Sequence, residues 1–297
     1  MCGVAGLFLK DRKLEPELGA MLAAMLSPLN DRGPDSAGFA VYGAELPGHS
    51  KLTVRAPPLF DLDRLLKSLH DATGTTIAHR THGSHIVLSV PIDRALLVRQ
   101  ALETFDDVAV IGSGRRMEIF KEVGRPDEVA KQFGLHGMSG SHAIGHTRMA
   151  TESAITTDGA HPFTTGPDQC LVHNGSLSNH NALRRTLSRQ GLAFETENDT
   201  EVAAGYMSWR MQQGDSLEQA LNSALAALDG FYTFVVGTET GFGVLRDPIA
   251  CKPAVMAENE RWVAFGTEYR ALVDLPGIDA AAVWEPAPAK AYLWELH

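Results

Sequence analysis

Short apolar runs separated by turn-forming residues extend along most of the chain, and their spacing predicts both helices and strands. Apolar residues recur at the helical period over about 15–29, whereas 2–9 is a continuously apolar run typical of a buried strand. Further strands are expected at 36–43, 85–90, 108–111, 142–148, 169–173, 231–236, 242–246, 254–256 and 262–265. Further helices are expected at 92–103, 179–190, 199–213 and 216–228. Because the strands come in runs and do not alternate regularly with helices, the pattern favours α+β layers over a doubly wound parallel sheet.

The charge of the chain argues against nucleic acid as a partner. It carries 26 Lys and Arg against 36 Asp and Glu, a formal net charge of -10, and no dense basic stripe. An electric field of that sign repels phosphate backbones. No apolar run approaches the roughly 18 residues that span a membrane, and the first residues lack the basic lead and long apolar core of a signal peptide. The sequence therefore predicts a cytoplasmic protein with no membrane partner.

Three cysteines, Cys2, Cys170 and Cys251, are too few and too far apart for a disulfide framework or a C-x-x-C metal site. Cys170 and Cys251 lie in apolar, strand-like segments, where a thiol is expected to be unreactive. Cys2 differs, because aminopeptidase removal of Met1 would leave a cysteine with both its thiol and a free α-amino group. Such an amine has an unperturbed pKa of about 8 and can act as the base for its own thiol. The alternative is a buried cysteine with no chemical role.

Several short motifs accompany Cys2 in a fixed order along the chain. They are Cys2-Gly3-Val4-Ala5-Gly6, Arg32-Gly33-Pro34-Asp35-Ser36-Ala37-Gly38, His146-Thr147-Arg148-Met149-Ala150-Thr151, His161-Pro162-Phe163, His173-Asn174-Gly175 and Glu197-Asn198-Asp199-Thr200-Glu201. Together, over 1–43 and 141–270, they resemble the class II glutamine amidotransferases, the N-terminal-nucleophile family whose mature chain begins with cysteine and glycine. The resemblance implies that Cys2 is the nucleophile of a glutaminase.

The resemblance also implies roles for residues around the substrate. Arg148 would hold the α-carboxylate of glutamine with a bidentate guanidinium, and Asp199 would pair with the α-ammonium. Asn174 and the backbone N–H of Gly175 would form the oxyanion hole. From the residues alone, Arg148 could be an exposed arginine at a strand end, and Asp199 could be a helix N-cap. Asn174-Gly175 could likewise be a type I′ hairpin turn.

Four more residues are placed by the resemblance at the edge of the site. Thr151 would put a hydroxyl near the substrate carboxylate. Arg32, Asp35 and His161 would support the pocket from behind. The histidines elsewhere are irregularly spaced and have no accompanying carboxylate motif, so no metal site is expected.

The resemblance further implies an architecture, the four-layer αββα sandwich of the N-terminal-nucleophile hydrolases, formed by 1–297 as a single domain. Residues 44–140 separate the Arg-Gly-Pro-Asp loop from the His-Thr-Arg strand by more than in some relatives. An embedded α/β elaboration is therefore expected at 44–140. Within it, Gly112-Ser113-Gly114 lacks the third glycine and the acidic follower of a dinucleotide-binding fingerprint and is predicted to be a turn.

The acceptor of the ammonia is expected on another polypeptide, because no sugar isomerase, phosphoribosyl-pyrophosphate or ATP pyrophosphatase motif is recognised. Chains of this kind resemble the amidotransferase subunits of glutamate-synthase-like complexes, in particular that of N-methylglutamate synthase. That likeness implies a hetero-oligomer with a flavin on a partner synthase subunit, and no metal or organic cofactor on this chain. Two alternatives stay open: a non-catalytic assembly subunit that keeps the fold, and a stand-alone γ-glutamyl amidase.

Overall fold

The computed structural model describes residues 2–149 and 155–296, which form two large sheets, a smaller third sheet and the helices packed on them. Within these residues the strands are β1 (Gly3–Leu9), β2 (Ser36–Tyr42), β3 (His49–Arg55), β4 (Ala78–His82), β5 (His85–Pro91), β6 (Ala109–Gly114), β7 (Met117–Val123), β8 (His142–Arg148), β9 (Phe163–Gly166), β10 (Gln169–Leu177), β11 (Gly230–Gly237), β12 (Gly241–Arg246), β13 (Val255–Glu258), β14 (Trp262–Gly266), β15 (Ala282–Trp284) and β16 (Ala291–Glu295). The α-helices are α1 (Leu18–Leu26), α2 (Leu62–Thr73), α3 (Ala95–Leu102), α4 (Pro126–Phe133), α5 (His180–Arg189), α6 (Asp199–Gln212) and α7 (Leu217–Ala227). None of these helices is both long and apolar enough to cross a bilayer.

The largest sheet has seven antiparallel strands in the order β15-β13-β14-β1-β8-β2-β7. Strand β1 lies inside this sheet, between β14 and β8. Because successive side chains of a strand face opposite sides, Val4 and Phe8 enter the core between the two large sheets, while Ala5 and Leu7 enter the core beneath the helices. Both faces of β1 are therefore covered, which explains why its sequence is continuously apolar.

The second sheet has five antiparallel strands in the order β16-β12-β11-β10-β9. Its outer face packs against α6 and α7, whereas the outer face of the seven-stranded sheet packs against α1 and α4. Apolar side chains from both inner faces, including Ile144 and Val235, fill the space between the sheets. The layers follow the order helix, sheet, sheet, helix, which confirms the αββα sandwich.

The third sheet, β4-β5-β3-β6, forms the elaboration with α2 and α3 and has an apolar core of its own. Its strands run from His49 to Gly114, so this unit is narrower than the expected range of 44–140. Strand β7 belongs instead to the edge of the seven-stranded sheet, where it pairs with β2, and α4 packs in the outer helical layer. Tyr42 and Met117 are direct partners in the β2–β7 pairing. The elaboration is therefore an insertion into a β-hairpin of the sandwich.

The prediction of a turn at Gly112-Ser113-Gly114 is wrong. These residues are the last three of β6, and they pair with residues 51–53 of β3. A Cβ on Gly114 would lie 2.7 Å from the backbone nitrogen of Asp168. Glycine is thus required there by the close approach of the β9–β10 connection and not by the backbone angles of a turn.

Candidate active site

Cys2 stands at the mouth of the space between the two large sheets. It directly precedes β1 and is half-buried. Because Val4 faces the inter-sheet core and side chains alternate along an extended chain, the side chain of Cys2 is on that same side. On the facing sheet, Val172 enters the same core and Asn174 follows it at the corresponding end of β10. Both sheets therefore contribute side chains to the mouth around the thiol.

Two threonines fix the backbone immediately after Cys2. The Gly3 N–H donates to Thr147 Oγ1 at 3.1 Å, and the Val4 N–H donates to Thr267 Oγ1 at 2.7 Å. A Cβ on Gly3 would lie 2.7 Å from that Thr147 oxygen, so the position requires glycine. Neither threonine follows from the sequence pattern alone. Thr147 lies within a motif that indicates no role for it. Thr267 is 263 residues from Val4, and no motif in the sequence marks it.

The carbonyl oxygen of Cys2 is held from two sides. Arg32 Nε donates to it at 3.3 Å, and Asn174 Nδ2 donates to it at 3.4 Å. Arg32 also forms an ion pair with Glu268. Partial burial opposes ionisation of Glu268, but the guanidinium groups of Arg32 and Arg270 together outweigh it and keep the pKa of that carboxyl below its ordinary value. Glu268, which no motif marks, thus supports the main chain of Cys2 through Arg32.

Asn174 and Gly175 lie inside β10, so the hairpin-turn alternative is wrong. They pair with Thr233 and Tyr232 of β11. Gly175 has φ 156°, and a Cβ there would lie 2.0 Å from the carbonyl oxygen of Phe231. The glycine is therefore required by the close approach of β11, which leaves the Asn174 side chain directed at Cys2.

Arg148 is the last residue of β8 and is buried, so it is not an exposed arginine at a strand end. Gly3 pairs with Thr147, which puts Arg148 level with Cys2 on the neighbouring strand. The carbonyl oxygen of Arg148 accepts the N–H of Asp35 at 3.1 Å. Asp35 thereby ties the Arg-Gly-Pro-Asp loop to the end of the strand that presents the guanidinium.

Asp199 begins α6, and its carboxylate faces the end of β10. Asn198, not Asp199, is the N-cap, because its side chain accepts the Thr200 N–H at 2.9 Å. Asp199 Oδ2 accepts the Leu177 N–H at 2.9 Å, and Oδ1 lies 3.7 Å from His173 Nδ1. Burial opposes ionisation, but the nearby His173 ring and the hydrogen bond from the Leu177 N–H outweigh it and lower the pKa of Asp199 to about 2. This carboxylate is therefore negatively charged at neutral pH.

Three histidines and a threonine form a buried support beneath Asp199. Thr200 Oγ1 lies 2.8 Å from His161 Nε2 and 3.1 Å from His173 Nδ1. His146 stacks on His161 with ring centroids 3.9 Å apart, and its Nε2 lies 3.1 Å from the carbonyl oxygen of His173. Burial lowers the pKa of His146 to about 3 and that of His161 well below its ordinary value. Both rings are neutral at physiological pH, which suits support and not proton transfer.

The remaining predicted positions are Thr151 and the other two cysteines. Thr151 lies outside the described residues, so its place near the substrate carboxylate stays a prediction. Cys170 is buried in β10, where burial raises the pKa of its thiol to about 12. Cys251 is exposed in the loop after β12, so the expectation of an apolar strand there is wrong. Over residues 2–149 and 155–296, no group of three or more His, Cys, Asp or Glu side chains could hold a metal ion.

Comparison with known proteins relates the chain to glutamine amidotransferases. A family model described as a glutamine amidotransferase domain matches residues 146–274. The chain is 57% identical over 297 residues to the glutamine amidotransferase-like protein GlxB of Rhizobium meliloti, covering 99% of this chain and 98% of that protein. It is 34% identical over 308 residues to a putative glutamine amidotransferase of Methanothermobacter thermautotrophicus, with 100% of both chains covered.

Among solved structures, the chain resembles the glutamine phosphoribosylpyrophosphate amidotransferase from B. subtilis, with a TM-score of 0.64 and 21% identity. The match covers 99% of this chain and 47% of that chain, so this chain spans about half the length of the solved structure. At that identity the likeness bears on the fold alone.

Proposed function

The chain belongs to the class II glutamine amidotransferases, and we propose that it hydrolyses glutamine at Cys2 and passes the ammonia to a synthase subunit on another polypeptide. The observation that carries the hydrolytic part is the contact from Asn174 to Cys2. A side-chain amide on one sheet approaches the main chain of the nucleophile on the other sheet at 3.4 Å. An amide donor at the nucleophile is what stabilisation of an oxyanion requires.

The substrate is proposed to be held by its amino-acid head group. Arg148 is a buried arginine level with Cys2, and a guanidinium binds a carboxylate through two parallel hydrogen bonds. Asp199 is a carboxylate whose low pKa keeps it charged, and it suits an α-ammonium. The two opposite charges flank the mouth and select a zwitterionic head group, which leaves the side-chain amide of glutamine to reach the thiol.

The proposed reaction begins at the free terminus that removal of Met1 creates. The α-amino group of Cys2 accepts the thiol proton, and the thiolate sulfur forms a bond to the Cδ carbon of glutamine. The carbonyl electron pair moves to oxygen, where Asn174 Nδ2 and the Gly175 N–H donate to the oxyanion. Each such donor contributes about 3 kcal/mol. Since Nδ2 carries two hydrogens, it can contact the Cys2 carbonyl and the oxyanion together.

Collapse of the tetrahedral intermediate breaks the C–N bond, and the departing nitrogen takes the proton held by the α-amino group and leaves as ammonia. Water then adds to the γ-glutamyl thioester. The C–S bond breaks, glutamate is released, and the proton from water restores the thiol of Cys2. This half-reaction is balanced without a cofactor.

The synthase partner is proposed from the chemistry of ammonia. Near neutral pH, free ammonia is mostly ammonium and escapes into solvent, so the acceptor must be reached from Cys2 through an enclosed path. We propose a flavin-binding subunit of the glutamate-synthase type, with an N-methylglutamate synthase complex as the specific form. We propose that the partner docks on the elaboration, where Leu59, Ile92 and Leu96 are exposed.

The hydrolytic part is tested by intact-mass measurement of the N-terminus together with an assay of glutamate release from glutamine. We expect a mass without Met1 and measurable hydrolysis. A retained Met1 with no hydrolysis would favour the non-catalytic assembly subunit. Faster release from other γ-glutamyl amides than from glutamine would favour a γ-glutamyl amidase.

The partner is tested by purifying the tagged chain from its native source under mild conditions. We expect a flavoprotein to co-purify and to increase glutamine hydrolysis by about 5- to 150-fold, the range of ordinary coupling free energies. Recovery of a fully active, solitary monomer would contradict the synthase part and leave the stand-alone enzyme.

Asp199→Asn is expected to raise the KM for glutamine by more than about tenfold, since it removes a charge-assisted contact worth about 1.5–3 kcal/mol. Inhibition by glutaramate, which lacks the α-amino group, should change little. Because the pKa of Asp199 is about 2, the wild-type carboxylate stays ionised at pH 5, so the difference between variant and wild type should be the same at pH 5 and pH 7. Asp229→Asn changes an exposed carboxylate bonded to Ser178 and serves as the matched control. Equal weakening of glutamine and glutaramate would show that Asp199 only stabilises the end of β10.

A further inference from the structure

Lys121 is a buried lysine whose hydrogen bonds converge on one short turn. It lies on β7, and its Nζ donates to the carbonyl oxygens of Asp158 at 3.1 Å and Ala160 at 3.0 Å. The same ammonium lies 4.7 Å from the centroid of the Phe163 ring. Two carbonyl acceptors and an aromatic face are favourable surroundings for a desolvated cation. Lys121 therefore fixes main chain at 158–160.

The turn that Lys121 holds packs against Arg148. Gly159 stands between the two carbonyl groups, and a Cβ there would lie 3.2 Å from Arg148 Nη1. The Gly159 N–H is itself fixed by Thr156 Oγ1 at 3.1 Å. The backbone of the turn is thus one wall of the space that the guanidinium occupies, and a side chain at position 159 would require the guanidinium to shift by a few tenths of an ångström.

We propose that Lys121 is a positioning residue for substrate binding, which holds the 158–160 turn so that the guanidinium of Arg148 stays oriented toward the α-carboxylate of glutamine. This inference rests on the function proposed for Arg148. A bidentate grip requires the guanidinium plane to be fixed, and a long side chain is fixed by the groups packed around it. Lys121 lies outside the 146–274 range of the family match, on the edge strand of the seven-stranded sheet.

The charge of Lys121 depends on its surroundings. The titratable and charged groups that face it are Asp158, Glu195, Glu201, Arg55, His85 and His161. Burial lowers the pKa of Lys121 to about 8, and the carboxylates oppose that lowering. Lys121 lines a cavity of about 500 Å³, which gives its amine access to solvent protons. The ammonium is therefore charged at neutral pH and loses its proton as the pH rises through about 8.

Two substitutions of Lys121 test the proposal, with the KM for glutamine and the Kd for L-glutamate as readouts. L-glutamate carries the same α-carboxylate and needs no hydrolysis to be measured. We expect Lys121→Met to raise both constants by about tenfold while kcat falls by less than about threefold, because ground-state binding is what is lost. In Lys121→Arg both constants should stay within about twofold of the wild-type values at neutral pH, since arginine keeps the positive charge.

Lys51→Met is the matched control, because Lys51 is also buried and is ion-paired with Glu118 near the other end of β7. It should lower the thermal unfolding temperature and leave both binding constants unchanged. Equal changes of KM and Kd in Lys121→Met and Lys51→Met would overturn the proposal. That result would mean that loss of any buried lysine loosens the whole protein.

The pH dependence of KM and Kd distinguishes a positioning role of Lys121 from a merely structural role, which would not alter it. The wild-type KM and Kd should rise as the pH passes about 8, whereas those of Lys121→Arg should stay low to a higher pH, because arginine does not titrate there. Superimposable profiles would overturn the proposal, and this comparison stands even if Lys121→Met fails to fold.

Unchanged L-glutamate binding in Arg148→Lys would overturn the proposal together with the role of Arg148. If the wild type binds L-glutamate without hydrolysing glutamine, the proposed hydrolytic function is contradicted. The Kd values for L-glutamate then test the positioning role of Lys121 without it.

Discussion

Cys2→Ala is expected to abolish glutamine hydrolysis, with a loss of kcat of at least about 10³-fold, because removal of a covalent nucleophile leaves only the binding groups. The fold should be unaffected, since Cys2 is half-buried and the hydrogen bonds that anchor this segment join side chains of Thr147, Thr267 and Arg32 to its main-chain atoms and not to the Cys2 side chain. Thermal unfolding and the release of glutamate, measured on the same preparation, test both statements. Turnover near the wild-type rate would remove Cys2 from the mechanism.

Labelling with a glutamine-like diazo-ketone distinguishes the three cysteine thiols by their reactivity. Cys2 should be modified rapidly, and glutamine should protect it. Cys170 should not react, because burial raises its pKa to about 12. Cys251 is exposed, so slow modification there is expected to be insensitive to glutamine. Cys251→Ser is therefore the control variant and should keep full activity.

Asn174→Ala is expected to lower kcat by about 10²- to 10³-fold, the usual cost of removing one oxyanion-hole donor. The KM should change much less, because the oxyanion exists only after attack and the head group is held elsewhere. Steady-state kinetics with glutamine distinguishes the two constants.

Asn179→Ala is the control for that substitution. Asn179 also uses its side-chain amide to bind main chain, donating to the Ala227 carbonyl and accepting the Asp229 N–H, but it lies beyond the end of β10. It should cost stability and leave kcat unchanged. A larger rise in KM than fall in kcat for Asn174→Ala would contradict its assignment to the oxyanion and would indicate that it mainly orders Cys2.

The strands of the sandwich could be predicted largely because they are covered on both faces, whereas their four-layer arrangement is implied by the family resemblance. Strands such as β1 and β14 are buried along their whole length, so their apolar runs are conspicuous in the sequence. Two of the elements that the pattern misses have little buried surface. Strand β4 is mostly exposed, and α2 buries only Leu65, Leu69 and Thr73. Weak burial leaves β4 with no alternation of apolar and polar residues to detect.

The candidate site could also be predicted only in part. Motifs in the sequence mark some of its residues, whereas the contacts between residues depend on the tertiary structure. Asn174-Gly175 has the composition of a turn, and only its pairing with β11 makes it part of a continuous strand. Thr267 and Glu268 reach the N-terminal segment from the far end of the chain. No local pattern encodes contacts at such separation, so these supporting residues become visible only in the folded protein.

The direct pairing of Tyr42 with Met117 has a consequence for the conformational entropy of the chain. If residues 43–116 were a flexible loop, closing it would cost about 4 kcal/mol by the logarithmic law, apart from a constant. The elaboration pairs Lys51 with Gly114 within a sheet that has its own core. Only the short linkers at 43–50 and 115–116 then remain to be closed, at about 2 kcal/mol. A long insertion can thus interrupt a hairpin at the entropic cost of a short one.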